Sequence, residues 1–502
     1  MWLERTGAGG ALGGVVGDLI EAVLTSRLGS LPFCFDANAM TPEPALSYLW
    51  NTAGCDPAAL DSVSFAGSDP ALPSVYRVGT LASATIAATG LAAAECLRLR
   101  DGRRQRVTVE MRRALASFRS ERYLRIDDGP PPALRDPVTG FYSTRDGRWI
   151  QLHTNFPHHL EGVLKVLGCA NDRTAVAAAV RGWDGATLDQ TLADAGLCAA
   201  LIRTPDEWAA LDQAKAIDRL PLFEIERIGD APVEPLGRGR ADRPLAGVRV
   251  LDLSRIIAGP VAGRALAQHG AEVLLINGAH LPNIAPLVID NGRGKRSAVL
   301  DLRDVAGRET LLGLAGDADV FLQAYRPGAL AARGLGPSDL ARVRPGTVYV
   351  SVSAYGHEGP WAGRRGFDSL VQSASGIAFT EREAAGWDEP KHLPCQALDH
   401  ATGYLAAFGA MVALGRRAAE GGSWHVKVSL AQTGRWLQSF GVLPDGWKAD
   451  DVSIDDVRDC LASVDSEFGR VSGVSPAELL SQTPAFFGLP PARVGAHEAK
   501  WV

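Results

Sequence analysis

The sequence lacks the signatures of several common protein classes. Seven cysteines are scattered over 502 residues and none forms a CxxC pair, which argues against a zinc site or disulfide framework and favours a reducing cytoplasm. A G-x-G-x-x-G fingerprint is missing, so we expect no nicotinamide cofactor. The net charge of −6 requires no nucleic-acid partner. We also expect no membrane partner, because no apolar run approaches the ~20 residues that span a bilayer.

The rest of the composition is that of an ordinary globular protein, with 46% hydrophobic and 22% charged residues. At about 100–200 residues per domain, this length predicts two to four domains or a large α/β body with insertions. The stretch GDAPVEPLGRGRADRPLAG, residues 229–247, is rich in Pro, Gly and Arg and indicates a linker.

Short apolar strands alternate with helical segments after this linker. Such alternation predicts a parallel sheet with right-handed crossovers, the doubly wound, Rossmann-like α/β arrangement. The region before the linker differs: it contains a hairpin signal at Asp146–Gly147 and a capping box from Thr204 to Glu207, which indicate a smaller α+β domain. The predicted strands of the large domain are Val248–Leu253, Ala271–Ile276, Ser297–Leu302, Asp319–Ala324 and Thr347–Tyr355.

An internal repeat relates two distant parts of the chain. Val78–Met111 aligns with Ala397–Leu430 without gaps, and both copies read as an Ala/Gly-rich helix, a basic turn and a short strand. Coincidence between two Ala-rich helices is the alternative. Asp399 in the second copy aligns with Thr80 in the first, so a genuine repeat has kept the carboxylate in one copy only.

Five stretches together resemble the class III coenzyme A transferases (CaiB/BaiF type), the family of formyl-CoA transferase, carnitine CoA-transferases and α-methylacyl-CoA racemase. They occur in the order typical of that family over about 243–435. The stretches are PLAGVRVLDLSRIIAGPVAGRALAQHGAEVLLI, NGRGKRSAVLDLRD, DVFLQAYRPGALAARGLG, TVYVSVSAYGHEGPWAGRRGFDSLVQSASG and ALDHATGYLAAFGAMVAL.

The resemblance implies a CoA-transferase (EC 2.8.3 type) in which Asp399 is the nucleophile. The carboxylate would attack an acyl-CoA thioester, giving a mixed anhydride and then an aspartyl-CoA thioester that a second carboxylic acid resolves. A helix N-cap is the alternative role for this residue. The turn Ser254–Gly263 would line the thioester site, with Ile257, Ala258 and Gly259 near the oxyanion.

Coenzyme A is thus implied as a substrate, with no metal. A basic turn and the end of a later strand would hold its phosphates and adenine. The alternative for the basic turn is that it is a solvated turn on the protein surface. The residues that we expect to bind CoA are Arg293, Lys295, Arg296, Tyr325, Arg326 and Arg333.

Phe367 bears on the choice between the branches of the family. It stands where the resemblance implies a histidine in racemases, so we favour transfer. A racemase or isomerase, and a non-catalytic acyl-CoA-binding homologue, remain alternatives.

We expect acyl-CoA and carboxylic acid substrates and a homodimer. The expected divisions are a degenerate partial copy of the large domain (1–125), a small α+β domain (126–235), the large domain (236–440) and a C-terminal closing segment (441–502).

Overall fold

The computed structural model describes residues 40–130, 133–237 and 242–502. The first 39 residues of the predicted partial copy, and part of the predicted linker, therefore lie outside the described residues. The N-terminal elements are α1 (Pro42–Thr52), β1 (Val63–Ala66), α2 (Val78–Asp101), β2 (Val107–Glu110), α3 (Met111–Ser117), α4 (Ser120–Tyr123) and β3 (Arg125–Ile126).

A small body follows and has a hydrophobic core of its own, centred on Ile150, Leu152 and Val163. Its antiparallel sheet has the order β4-β5-β6, and the first hairpin turns at Gly147, whose φ of 72° suits glycine. The predicted capping box is present, since Thr204 accepts from the Glu207 N–H. The elements are β4 (Gly140–Ser143), β5 (Trp149–Leu152), α5 (Pro157–Leu167), α6 (Arg173–Val180), α7 (Gly185–Asp194), β6 (Ala199–Leu201), α8 (Pro205–Ala210) and α9 (Asp212–Asp218).

A seven-stranded sheet is the centre of the large body. Its inner strands Val320–Gln323 and Val348–Ser353 are wholly buried, as expected when helices cover both faces of a parallel sheet. The elements are β7 (Phe223–Gly229), β8 (Arg249–Leu253), α10 (Ala258–Gln268), β9 (Glu272–Asn277), α11 (Ala285–Gly292), β10 (Lys295–Val299), α12 (Val305–Gly316), β11 (Val320–Gln323), α13 (Pro337–Val343), β12 (Val348–Ser353), α14 (Asp368–Ala374), α15 (Ile377–Ala385), α16 (Ala397–Glu420), β13 (Ser423–Ser429) and α17 (Leu430–Gln438).

The strand order of this sheet is β10-β9-β8-β11-β12-β13-β7. Its first six strands are parallel and have the order 3-2-1-4-5-6 of a doubly wound fold, which agrees with the predicted fold class. Strand β7 adds an antiparallel edge next to β13. Because β7 lies within the predicted small domain of 126–235, the small body ends before Phe223 rather than at residue 235.

The two repeat copies pack side by side through α2 and α16. Each helix has 24 residues, and both ends of α16 follow those of α2 by the same 319 positions (397 − 78 and 420 − 101). Equivalent glycines meet equivalent valines: a Cβ on Gly90 would lie 3.0 Å from Val107, and one on Gly409 would lie 2.6 Å from Val426. Small residues thus let each helix approach the strand that follows it.

Helices α2 and α16 are long and apolar enough to cross a membrane by composition, although the sequence suggested no such run. About 94% of each apolar window is buried inside the protein, where the two helices form its core. The C-terminal segment joins the N-terminal elements, because β15 pairs with β3 and β16 pairs with β2. Its strands are β14 (Leu461–Ser466), β15 (Gly469–Val474) and β16 (Glu478–Leu480).

Candidate active site

A cavity of about 470 Å³ opens where the strand order of the large sheet reverses. Strands β8 and β11 are neighbours there, and the loops after their carboxyl ends line the cavity, as expected for ligand sites in open α/β sheets. Residues 156–159 and Cys198 of the small body form the opposite wall. The cavity therefore lies between the two bodies.

Asp399 lines this cavity from the first turn of α16. The helix begins at Ala397, and its N-cap residue is Gln396, so Asp399 does not occupy the N-cap position. The capping role is filled by Asp368, whose carboxylate accepts the Asp399 backbone N–H at 2.9 Å. The Asp399 side chain is 7% exposed, and no described residue donates a hydrogen bond to it. Its carboxyl group is therefore available to a ligand in the cavity.

Negative charges surround this carboxyl group on the protein side. Burial, Asp368 and Glu121 together raise the pKa of Asp399 well above its usual value. Burial also raises the pKa of Asp368 to about 7, even though the N–H groups of Asp399 and Leu398 and the Gln372 amide favour its charged form. Two neighbouring carboxyl groups with raised pKa values hold a proton more readily than isolated aspartates, which is typical of functional sites.

The predicted oxyanion loop lies in the same cavity. Ile257, Ala258 and Gly259 all line it, and the Ala258 and Gly259 N–H groups belong to the first turn of α10, where helices leave such donors unpaired. Ile256 adopts a φ of 74°, a strained conformation for a β-branched residue. A Cβ on Gly403 would lie 2.5 Å from the Ala258 carbonyl oxygen, so this glycine lets α10 approach the helix that carries Asp399.

The cavity wall is strongly cationic. Among the described lining residues there are six arginines and three histidines, and Asp399 is the one carboxylate. Three of the residues predicted to bind CoA, namely Tyr325, Arg326 and Arg333, belong to this wall. A polyanion that carries a reactive group at one end fits such a surface, because its phosphates would meet the arginines.

The other three residues predicted to bind CoA do not line the cavity. Lys295 is buried and donates to Asp252 and to the Pro260 carbonyl, both at 2.8 Å. Arg293 is buried and paired with Asp290 at 2.5 Å. Arg296 donates to the Lys500 carbonyl at 2.7 Å. The basic turn looked like a ligand site because the partners of Lys295 and Arg296 are distant in sequence. In the folded chain all three cations make contacts within the protein.

Several lining residues were not foreseen from the sequence. Arg255, Arg364 and Arg365 face the cavity, and so do His158 and His159 from the start of α5. The neighbouring pairs Arg364–Arg365 and His158–His159 were the sequence features that could have indicated a site. They come together only because the small body packs against the large one.

Phe367 also lines the cavity, and its ring stacks on His153 with centroids 4.1 Å apart. An aromatic ring therefore occupies the position where the family resemblance implies a histidine in racemases.

Comparison with known proteins adds an independent observation. Residues 245–458 match the profile of the family described as CoA-transferase family III. An acyl-CoA transferase of Gibberella moniliformis is 35% identical over 315 residues, which cover 58% of this chain and 55% of the relative. The human succinyl-CoA:glutarate CoA-transferase is 33% identical over 193 residues, which cover 35% of this chain and 43% of the relative.

The probable fatty acyl-CoA transferase Rv3272 of Mycobacterium tuberculosis is 35% identical over 210 residues, which cover 39% of this chain and 53% of the relative. A crystal structure of Rv3272 superposes with a TM-score of 0.37 at 34% identity, over 39% of this chain and 58% of that one. The chain thus spans about half the length of the curated relatives that it matches.

Proposed function

We propose that this chain, whose residues 245–458 match the profile of CoA-transferase family III, moves coenzyme A between an acyl-CoA and a carboxylic acid, with Asp399 as the nucleophile. The observation that carries the proposal is the isolation of the Asp399 carboxyl group, the one described carboxylate in a cavity lined by arginines. A nucleophile without internal hydrogen-bond donors is free to react, and the cationic wall suits the phosphates of CoA.

The proposed reaction consists of two exchanges. The Asp399 carboxylate attacks the thioester carbonyl, the C–S bond breaks, and CoA thiolate leaves a mixed anhydride. The thiolate then attacks the Asp399 carbonyl, which releases the first carboxylic acid and forms an aspartyl-CoA thioester. A second carboxylate attacks this thioester, and the two steps run in reverse to give the new acyl-CoA and free Asp399.

Residues beside Asp399 would assist each step. The N–H groups of Ala258 and Gly259 would stabilise the tetrahedral oxyanions. Because α10 already holds these two donors in position, they need not reorient during the reaction. Asp399 must be ionised to attack. Since burial, Asp368 and Glu121 raise its pKa, the rate of acylation should rise with pH through a window well above that of an ordinary aspartate.

Arg326 and Arg333 would bind the phosphates of CoA, and Tyr325 would stack on its adenine. Arg255 and Arg365 add positive charge to the same cavity and join the proposed binding surface, whereas Arg364 is paired with the buried Asp189 at 2.5 Å. The relatives above are named as a probable fatty acyl-CoA transferase in one case and as a succinyl-CoA:glutarate CoA-transferase in another, so a panel of acyl-CoA donors and carboxylic acids is the appropriate substrate screen. We further propose a homodimer in the cytoplasm; a monomeric mass at micromolar concentration would contradict the dimer.

The test is to trap the covalent intermediate. The full chain is incubated with an acyl-CoA without acceptor acid, and the adduct is mapped by mass spectrometry before and after hydroxylamine. We expect a hydroxylamine-sensitive adduct on Asp399 in the wild-type protein and none in Asp399→Asn, which keeps the shape of the side chain. Saturable CoA binding without an adduct would instead indicate a binding protein.

The same incubation in deuterium oxide addresses the racemase alternative. Exchange of the α-proton in the absence of acceptor would support racemisation. Phe367 stands where the family resemblance implies a histidine in racemases, and this disfavours racemisation, which needs two bases that exchange the α-proton.

A further inference from the structure

The segment that continues from the first repeat copy, which has Thr80 in place of the nucleophile, contacts the second copy through a buried carboxylate. Glu121 lies on α4, and its Oε2 is 3.2 Å from Nε2 of His400, the residue after Asp399. The two side chains are only 3% and 1% exposed. The contact joins residues 279 positions apart, so it depends on the close packing of the two copies.

The surroundings hold this contact rigidly. The His400 ring stacks on Phe118 with centroids 5.4 Å apart. Ser120, next to Glu121, donates to Asp290 at 2.6 Å, and Arg264 donates to the same carboxylate oxygen at 2.7 Å. The segment that carries Glu121 is therefore fixed to α10 and α11 as well as to α16.

Glu121 also adds charge to the site. Its carboxylate acts on both Asp399 and Asp368, so three acidic groups from three helices share one buried region. The other charged or titratable groups that face this region are Arg119 and Arg122 at the two ends of α4, Arg135, Cys395 and His400. Arg264 on α10 and Asp290 on α11 lie on the far side of Glu121.

We propose that Glu121 is a positioning residue of the Asp399 site: it fixes His400 and keeps a negative charge beside Asp368 and Asp399. The inference rests on the proposed function and assigns a role to the copy without a nucleophile. That copy completes the site of its neighbour, as a second subunit would.

Two consequences follow for the nucleophile. The added negative charge favours the protonated form of Asp399 and shifts its ionisation to higher pH. The same charge makes the ionised carboxylate more basic and hence a stronger nucleophile. Removing the charge should therefore speed acylation on the acidic side, where ionisation limits the rate, without a gain at high pH. A residue needed only for folding would show no such gain.

The experiment compares Glu121→Gln with Glu478→Gln. Glu478 is a matched control, because its Oε1 lies 2.9 Å from Nε2 of His269 and both side chains are fully buried. In both pairs the second ring nitrogen of the histidine has no hydrogen-bond partner. The charges that act on Asp399 come from Asp368 and Glu121, not from Glu478. Glu121→Asp keeps the charge and serves as a second variant.

Two readouts are measured across pH for each full-length variant. The first is the rate of acyl adduct formation on Asp399. The second is the infrared band of the protonated Asp399 carboxyl group, identified by its absence in Asp399→Asn; this readout needs no turnover, so it remains informative if the transferase proposal fails.

We expect Glu121→Gln to move both midpoints to lower pH, because one of the negative charges that raise the pKa of Asp399 is removed. Acylation below the wild-type midpoint should then be faster, by less than the gain in ionised Asp399, because the carboxylate is also less basic. Glu478→Gln and Glu121→Asp should keep the wild-type midpoint. Unchanged midpoints in a folded Glu121→Gln, or equal shifts in Glu478→Gln, would overturn the proposal.

Discussion

The change Asp368→Asn should stabilise the protein at high pH and should do so much less at low pH. Asp368 is 1% exposed, and burial, which outweighs the three groups that hydrogen-bond to it, raises its pKa from 3.8 to about 7. Between these two pH values the folded protein holds a proton that the unfolded chain has released. The free energy of unfolding of the wild type therefore falls as the pH rises through this window.

The magnitude follows from the two pKa values. At 1.36 kcal/mol per unit, the difference between 3.8 and about 7 destabilises the wild type by about 4 kcal/mol at pH 8. At pH 5 the corresponding penalty is only about 1–2 kcal/mol, because Asp368 is then mostly protonated in the folded state. Asparagine keeps the acceptor oxygen but carries no charge. The gain from Asp368→Asn should thus be about 3 kcal/mol larger at pH 8 than at pH 5.

Urea unfolding of the full chain at both pH values measures this difference. Asp290→Asn provides a matched control of opposite sign. Asp290 is equally buried, but although burial raises its pKa, Arg264, Arg293 and Ser120 lower it to about 2. Its contribution is complete above pH 4 and is lost only as the pH falls towards 2. Asp290→Asn should therefore destabilise the protein by about 3–5 kcal/mol at both pH values, because two buried arginines lose their partner. A stability gain of Asp368→Asn that is the same at pH 5 and pH 8, or a loss at pH 8, would refute the reasoning.

Three further changes test other parts of the structure. Arg326→Ala should raise the KM for acyl-CoA about tenfold or more, since a charge-assisted contact to a phosphate contributes about 1.5–3 kcal/mol. Arg296→Ala is the control and should leave KM unchanged, because Arg296 lies outside the cavity. Steady-state kinetics measure both values, and equal effects of the two changes would contradict the assignment. Lys295→Met should destabilise the protein by about 3–5 kcal/mol in urea unfolding, because it leaves Asp252 buried without its partner; an unchanged midpoint would show that the pair is dispensable. Gly403→Ala should lower the free energy of unfolding by about 1–3 kcal/mol and lower the rate of acylation, because the added methyl group meets the Ala258 carbonyl oxygen. A fully active variant would mean that α10 and α16 can move apart without harm to the site.

The arrangement of the repeat explains how a chain can keep a copy that has lost its nucleophile. Thr80 occupies the position of Asp399, and Asp69 accepts the N–H groups of Gly79 and Thr80, at 2.9 and 2.7 Å. Asp368 does the same for the first turn of the other helix. The first copy thus preserves the capped helix and the packing surface while the reactive group is found only in the second.

Much of the site could be predicted from sequence because its parts follow local rules. Apolar strands that alternate with helices specify a parallel sheet, and a parallel sheet brings the loops after its strands to one edge. That is why Gly259, Tyr325 and Arg326 were expected together and do line one cavity. Asp399 was singled out by its motif and by the contrast with Thr80, both of which are properties of the chain alone.

Other features depended on contacts that no local pattern encodes. A cation in a glycine-rich turn looks the same whether it faces a ligand or an internal carboxylate, and Lys295 proved to face Asp252, 43 residues away. Burial, Asp368 and Glu121, which is 278 positions away, raise the pKa of Asp399. The sequence by itself determined the sheet and the loops and singled out Asp399, because these arise from the period and order of neighbouring residues. The tertiary structure alone decided which charges are buried together, because burial and distance fix their interaction, and distant segments become neighbours only in the folded chain.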